Sequence, residues 1–358
     1  MTGNKGEWSE VYVFLKLLAE GKLNAADANL NAIPTVYYPI IKIIRQEKSI
    51  NREYIINGNI KIVDSTANKE ILNLPVSEFV KRSNHLFNEL KKIKGSSFSF
   101  PDIEEFLHSI DIKTLKALKT DKSDIVLVVH DLNTGLKPQL GFSIKSLLGK
   151  DATLFNPGNT TNFIYEITGK GKLNINNINS IKSSPFITNR IKEIKNKKFK
   201  LKFCKIQSDT LQLNLQLIDS DLPKILSELL LIKYSTDGNS SLSAALKLIK
   251  QKNPLKFDLS KGHPFYEYKL KNFLTDSALG MTPSSIWIGK YDATGGIIIV
   301  KEDGDLVCYH IYNRNEFQDY LLNNTKFEQA STSRYEFGSL YKENGKIYLK
   351  LNLQIRFN

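Results

Sequence analysis

The chain has 358 residues, 41% of them hydrophobic and 24% charged, a globular composition that excludes a fibrous or disordered protein and allows one elaborated core or two coupled lobes. Lysine and arginine outnumber aspartate and glutamate by 50 to 37, and the net charge of +13 makes a polyanion the first partner to consider. Cys204 and Cys308 form no CxxC pair, which argues against a disulfide framework or a zinc site, and the absence of a signal-like or bilayer-length apolar run sets the expectation of a soluble cytoplasmic protein with no membrane partner.

NKGEWSEVYVFLKLLAEGKL predicts a first helix, with Trp8, Val11, Tyr12, Leu15 and Leu18 on one face and Gly21 as its stop. Residues 36–63 read as a strand meander in which YYPIIKIIR and GNIKIVD are separated by the turn signal Asn57-Gly58. An amphipathic helix is expected over 75–95, and FPDIEEFLHS starts another after Pro101. Strands dominate 124–167. Between Lys182 and Lys205 nine lysines and arginines face one acid, Glu193, a pattern that fits a solvated face or a track for a phosphate backbone. Helical periodicity returns at 222–233 and 240–250. IIIVKEDGDLVCYHIY then reads as a hairpin around Asp303-Gly304, followed by a helix near 315–323 and a last alternating strand. With no internal repeat and no low-complexity linker, one mixed α/β body is expected in three parts: an N-terminal helix and core hairpin (1–170), a basic helical insertion (171–260) and a C-terminal mixed part (261–358).

The segment KSDIVLVVHDLNTGLKPQ leads into LGFSIKSLLG. Ile125 to Val129 form a strand core and Asn133-Thr134-Gly135 is turn chemistry, so 124–146 predict an antiparallel hairpin. A turn centred between Thr134 and Gly135 places Asp124 opposite Lys145, Val126 opposite Ser143 and Val128 opposite Gly141. As an exposed ion pair, Asp124 and Lys145 would contribute only a few tenths of a kcal/mol. The same pair at one end of a hydrophobic hairpin also fits a metal-dependent phosphodiesterase, with Asp124 holding Mg²⁺ and Lys145 positioning the attacking water. This is the pattern of a PD-(D/E)xK nuclease core, its second half written here as Ser143-Ile144-Lys145.

A neutral hydroxyl at Ser143 cannot replace a carboxylate as a strong ligand for a hard dication, so the missing charge is expected from elsewhere. Glu7 and Glu10 stand three apart on one face of the first helix. Glu10 is the preferred third member, with Glu7 in reserve. The candidate catalytic set is therefore Asp124, Lys145, Glu10 and Ser143, and the candidate metal set Asp124, Glu10 and Ile144. The histidines give no HxxxH or HExxH, and GKGKLN lacks a P-loop's spacing, so zinc, triad and ATP chemistry have no support.

KGEWSEVYVFLKLL at 5–18, GFSIKSLLGKDATLFNPGNTTNFIYEI at 141–167, and STSRYEFG with KLNLQIRF within 331–357 resemble the HpaII family of type II restriction endonucleases. The resemblance spans nearly the whole chain. It implies a Mg²⁺-dependent enzyme of a restriction-modification system that recognises CCGG in double-stranded DNA and cuts after the first C. Glu10 carries over by position only, because of the departure at Ser143. A palindromic target is ordinarily read by a homodimer.

SLLGKDATLFNPGNTTNF is rich in donors for phosphate oxygens and base edges, and Lys150, Asn156, Asn159, Thr161 and Asn162 are candidate DNA contacts as a group. In KIYLKLNLQIRF the alternation is strict: Ile347, Leu349, Leu351, Leu353, Ile355 and Phe357 form an apolar face, while Lys346, Tyr348, Lys350, Asn352, Gln354 and Arg356 form a row of donors. Arg334, Gln354 and Arg356 suit G·C pairs, since arginine pairs with guanine O6 and N7 and an amide oxygen can accept from cytosine N4. The competing class is a nucleic-acid-binding protein without chemistry. In that reading the Asp124–Lys145 pair is structural and the basic run supplies non-specific affinity.

Overall fold

The structure is a computed structural model that describes residues 1–47, 50–117, 123–132, 134–149, 151–235 and 241–358. Lys150 and Asn133, named above, lie outside the described residues. The chain opens with α1 (Lys5–Glu20), then β1 (Lys22–Ala26), β2 (Ala32–Glu47), β3 (Ile50–Asn57), β4 (Asn59–Asp64) and β5 (Lys69–Pro75), followed by α2 (Val76–Lys92) and α3 (Pro101–Ser109). β6 (Ile125–Val129), β7 (Gln139–Ser146), β8 (Thr153–Phe155) and β9 (Asn162–Thr168) lead to α4 (Ile175–Asn179), α5 (Phe186–Asn196), β10 (Lys200–Ile206) and the helices α6 (Asp209–Ile218), α7 (Leu222–Lys233), α8 (Leu242–Lys252) and α9 (Phe265–Leu279). The chain continues with β11 (Gly296–Val300), β12 (Leu306–His310), α10 (Arg314–Asn323), β13 (Thr325–Phe327), β14 (Leu340–Glu343), β15 (Lys346–Asn352) and β16 (Ile355–Phe357).

The expected mixed α/β composition is present. The described chain divides into two compact units, a division that differs from the three consecutive parts expected at 170 and 260. One comprises Met1–Ala152, Ala278–Gly280 and Tyr291–Tyr320, the other Thr153–Ser277, Met281–Lys290 and Leu321–Asn358. Among the described residues no helix is long and apolar enough to cross a membrane.

The first unit is built on a nine-stranded sheet in the order β1-β12-β11-β7-β6-β2-β3-β4-β5, parallel only at β1–β12 and β11–β7. α1 begins at a capping box in which the Asn4 side chain accepts from the Glu7 N–H and the Glu7 carboxylate accepts from the Asn4 N–H. It ends at Gly21, whose φ of 66° is the left-handed conformation that glycine adopts without a Cβ clash. The face predicted to be apolar is buried: Trp8 packs edge-on against Phe100 with centroids 4.8 Å apart, and Tyr12 stacks on Phe87 at 5.5 Å. Such pairs contribute about 0.5–1.5 kcal/mol each beyond their buried area. Phe142 and Ile144 of β7 join this core, which directs the intervening Ser143 to the other side of the sheet.

The second unit holds a four-stranded sheet, β10-β9-β15-β14, and a three-stranded sheet, β13-β16-β8. The single C-terminal strand expected from the alternation is two strands. β15 belongs to one sheet and β16 to the other, with the break at Leu353 and Gln354. Alternation continues across the break, so a pattern of side chains could not reveal it.

Candidate active site

The hairpin forms, with a register two residues away from the expected one. Ile125 pairs with Phe142 and Val126 with Gly141, so the end of β6 brings Asp124 to Ser143 rather than to Lys145. The cause lies in the turn. Asp131, buried, accepts from the Thr134 hydroxyl at 2.7 Å while its own N–H bonds the Leu136 carbonyl at 2.9 Å, which centres the turn one residue earlier than Thr134-Gly135 would.

At Asp124 the ladder slips again, its N–H donating to the Phe142 carbonyl at 2.8 Å. The carboxylate thereby reaches across β7. Oδ2 accepts from the Ile144 N–H at 2.7 Å and from the Ser143 hydroxyl at 3.1 Å. Gly141 permits this close approach: a Cβ there would lie 2.8 Å from the Ser123 Cβ and 3.0 Å from the Asp292 carbonyl oxygen. Ser143, only 4% exposed, thus stands as a donor to Asp124. Ile144 buries its side chain in the core and presents backbone alone. Lys145 lies two residues past Ser143 on the same strand face, in parallel register with Ile299 of β11.

Asp124 and Glu10 line one cavity of about 240 Å³, with Arg45, Gln46 and Gln139 also in its wall. Lys145 is not part of that lining. Glu7, the reserve acid, is engaged in the capping box of α1 and in an ion pair with Lys116 at 2.9 Å, so the structure distinguishes the two glutamates by their surroundings. Arg45 is a charged cavity residue that the sequence reading passes over. Its guanidinium bonds Glu47 at 2.8 Å and the Thr114 carbonyl, and the signal for it, one arginine in a strand of the meander, carries no spacing of its own.

Among the described residues no group of three or more histidine, cysteine, aspartate or glutamate side chains could hold a metal ion. Two carboxylates in one cleft nevertheless match what Mg²⁺ ordinarily takes from a protein, one or two carboxylates completed by water and substrate phosphate. The donor set fits that ion.

The second unit sorts the expected DNA contacts. Thr161 and Asn162 are fully buried, which corrects their assignment as presented donors. The Thr161 hydroxyl bonds Gly158, and the Asn162 amide donates to Gln207 and the Tyr335 carbonyl. The donor row of the last strand ends at Lys350, because Asn352 spends its amide on Gly158, Thr161 and Asn162 and Gln354 is buried. Arg356, half-buried, donates to the Thr153 hydroxyl at 3.2 Å. Asn156, Asn159 and Arg334 are exposed, with Arg334 lying over the Tyr335 ring at 5.4 Å.

No solved structure matches the chain. The HpaII restriction endonuclease family matches residues 4–357. The type II restriction enzyme HpaII of Haemophilus parainfluenzae is 46% identical over 357 residues, covering 99% of this chain and 98% of its own, and is thus a full-length relative with a different sequence. The chain belongs to the HpaII restriction endonuclease family and is a site-specific deoxyribonuclease.

Proposed function

We propose that the chain cuts double-stranded DNA at CCGG after the first C, with Mg²⁺, at a PD-(D/E)xK-type centre formed by Asp124, Glu10, Ser143 and Lys145. The observation that carries this reading is the convergence of Glu10 from α1 and Asp124 from the start of β6 on one cavity. The target sequence and cut position rest on the resemblance to the family. Asp124, Glu10 and the backbone of Ile144 would hold the ion, which when bound supplies positive charge at the phosphoryl oxygen and acidifies a water.

The chain's own groups do the rest. Ser143 and the Ile144 N–H fix the Asp124 carboxylate through two hydrogen bonds to one oxygen, leaving little rotational freedom to lose when it is engaged. Lys145 orients the attacking water in line with the P–O3′ bond. That bond breaks as the water oxygen joins phosphorus, leaving a 5′-phosphate and, after protonation, a 3′-hydroxyl. Arg334, Asn156 and Asn159 keep the exposure that contact with DNA requires, and a second copy of the chain would read the other half of the palindrome.

Plasmid incubated with and without Mg²⁺, followed by run-off mapping of the ends, tests the reading. Discrete fragments that appear only with Mg²⁺ and end after the first C of CCGG are expected. Absence of cutting with Mg²⁺ and a CCGG-bearing plasmid would leave a binding protein without chemistry, and cuts elsewhere would refute the target.

A further inference from the structure

The basic run and the alternating C-terminal strand, more than a hundred residues apart in sequence, meet in the four-stranded sheet β10-β9-β15-β14. β10 lies at its edge. Lys200 pairs with Thr168 and Lys202 with Glu166. The register then shifts, leaving Cys204 out, so that Lys205 pairs with Ile164. Because side chains alternate along a strand, an uninterrupted β10 would turn Lys205 to the opposite face. The bulge returns it to the face of Lys200 and Lys202.

β15 continues the same face across β9. Tyr348 pairs with Glu166 and Lys350 with Ile164, which places Lys346, Tyr348 and Lys350 on the face of the β10 lysines, with β9 between the two strands. The opposite face is apolar and covered: Phe163, Tyr165 and Leu349 are buried, and the Tyr165 hydroxyl donates to the Ser227 carbonyl at 2.8 Å. The outer face carries five lysines against two glutamates, Glu166 and Glu343, and Glu166 is already paired with Lys346 at 3.1 Å. Lys200, Lys202 and Lys205 are exposed.

We propose that this sheet face binds the phosphate backbone of duplex DNA. Lysines at alternate strand positions recur about every 6.6 Å and offer charge without planar base recognition, which suits phosphates rather than base edges. The aromatic groups favour a duplex over a single strand. A single-strand platform needs open rings on which bases stack. Here Tyr341 and Tyr348 stack on each other at 5.6 Å, and the Lys350 ammonium lies 5.4 Å from the Tyr341 centroid. The buried Arg190, although within the basic run, takes no part. It bonds the carbonyls of Asn179, Ile181 and Gly338 and so belongs to the fold.

The proposal rests on the chain's action on double-stranded DNA, and the test separates the two. In the full chain, Lys200→Gln, Lys202→Gln and Lys205→Gln are combined, and equilibrium binding to duplex DNA is followed against salt without Mg²⁺. Loss of three phosphate contacts should flatten the slope of log K against log salt by about 2.7, at roughly 0.9 per contact. The rate of cutting by the saturated complex with Mg²⁺ should stay at the wild-type value. An unchanged slope overturns the proposal, as does equal flattening when the exposed Lys81, Lys91 and Lys92 of α2 are neutralised instead. A greater loss on single-stranded than on duplex DNA, or a tenfold loss on single strands for Tyr348→Ala, would make the face a single-strand platform and overturn it likewise. Wild-type protein that cuts duplex DNA while the triple variant keeps its slope sinks only this proposal. Wild-type protein that cuts no duplex sinks the reading beneath it.

Discussion

Replacing Ser143 by alanine tests whether the serine of the Ser-Ile-Lys segment acts through Asp124 or directly. The hydroxyl donates to Asp124 Oδ2 at 3.1 Å from a position 4% exposed, so water cannot readily take its place. A hydrogen bond to a charged group contributes about 1.5–3 kcal/mol, and the surviving bond from the Ile144 N–H at 2.7 Å places the loss at the low end. Ser143→Ala should therefore lower stability by about 1.5 kcal/mol in urea unfolding, and if the same loss of positioning is felt in the transition state the cutting rate should fall by roughly tenfold. Ser143→Asp should set a second carboxylate against the first, and like charges so placed oppose one another until a cation intervenes. Its melting temperature should rise with Mg²⁺ more steeply than that of the wild type. The reasoning is refuted if Ser143→Ala abolishes cutting at unchanged stability, which would make the hydroxyl itself a reacting or ligating group. It is refuted equally if neither rate nor stability moves.

Asp124→Ala and Lys145→Ala should each abolish cutting in a plasmid assay while metal-free DNA binding persists, and loss of both activities together would mark a structural pair. Glu10→Gln should slow cutting and be partly rescued by raised Mg²⁺, whereas Glu7→Ala, which removes the acceptor for the Asn4 N–H and with it half of the capping box, should lower stability by about 1 kcal/mol and leave the rate alone. The reverse pattern would exchange their roles. Arg334→Ala should weaken binding to CCGG by about 1–3 kcal/mol with little change on scrambled duplex, and equal losses on both would make it a phosphate contact. Burial against Tyr38 and Phe142 pushes the His310 imidazole down to about 4, so the unfolded chain binds the extra proton first as pH falls. The stability associated with neutral His310 is complete above about pH 6.5 and falls by roughly 3 kcal/mol as pH drops to about 4. His310→Asn should remove that slope from urea titrations between those pH values, and an unchanged slope would assign it to other groups.

The elements that are legible in the sequence are those whose boundaries are written locally. α1 carries its own cap, apolar face and glycine stop, and the Asn57-Gly58 turn lies at the joint between β3 and β4. The hairpin is legible but its register is not, because the turn is set by the Asp131 carboxylate closing on Thr134, a contact that competes with the Thr134-Gly135 signal. Acid positions on α1 and before β6 can be read one at a time, but their shared cavity also takes its walls from Arg45 and Gln46 of β2 and Gln139 of β7, which meet only through the strand order β7-β6-β2. Asn162 and Asn352 look like free donors in a linear pattern. Only the fold shows that Asn352 donates to Asn162 at 2.8 Å and that both hold the 158–162 loop.

The break at Leu353 and Gln354 has a consequence for the order in which the protein comes into being. β15 lies between β9 and β14, and β16 between β13 and β8, so residues 346–357 occupy an interior position in both sheets of the second unit. They are also synthesised after every strand they join. Until they emerge, β9 has no partner on one side, and β8 and β13 have none in common. A chain that stops before residue 346 can therefore pair β9 with β10 but cannot join them to β14, nor β8 to β13, so both sheets of this unit wait on one short segment that stitches them from the inside.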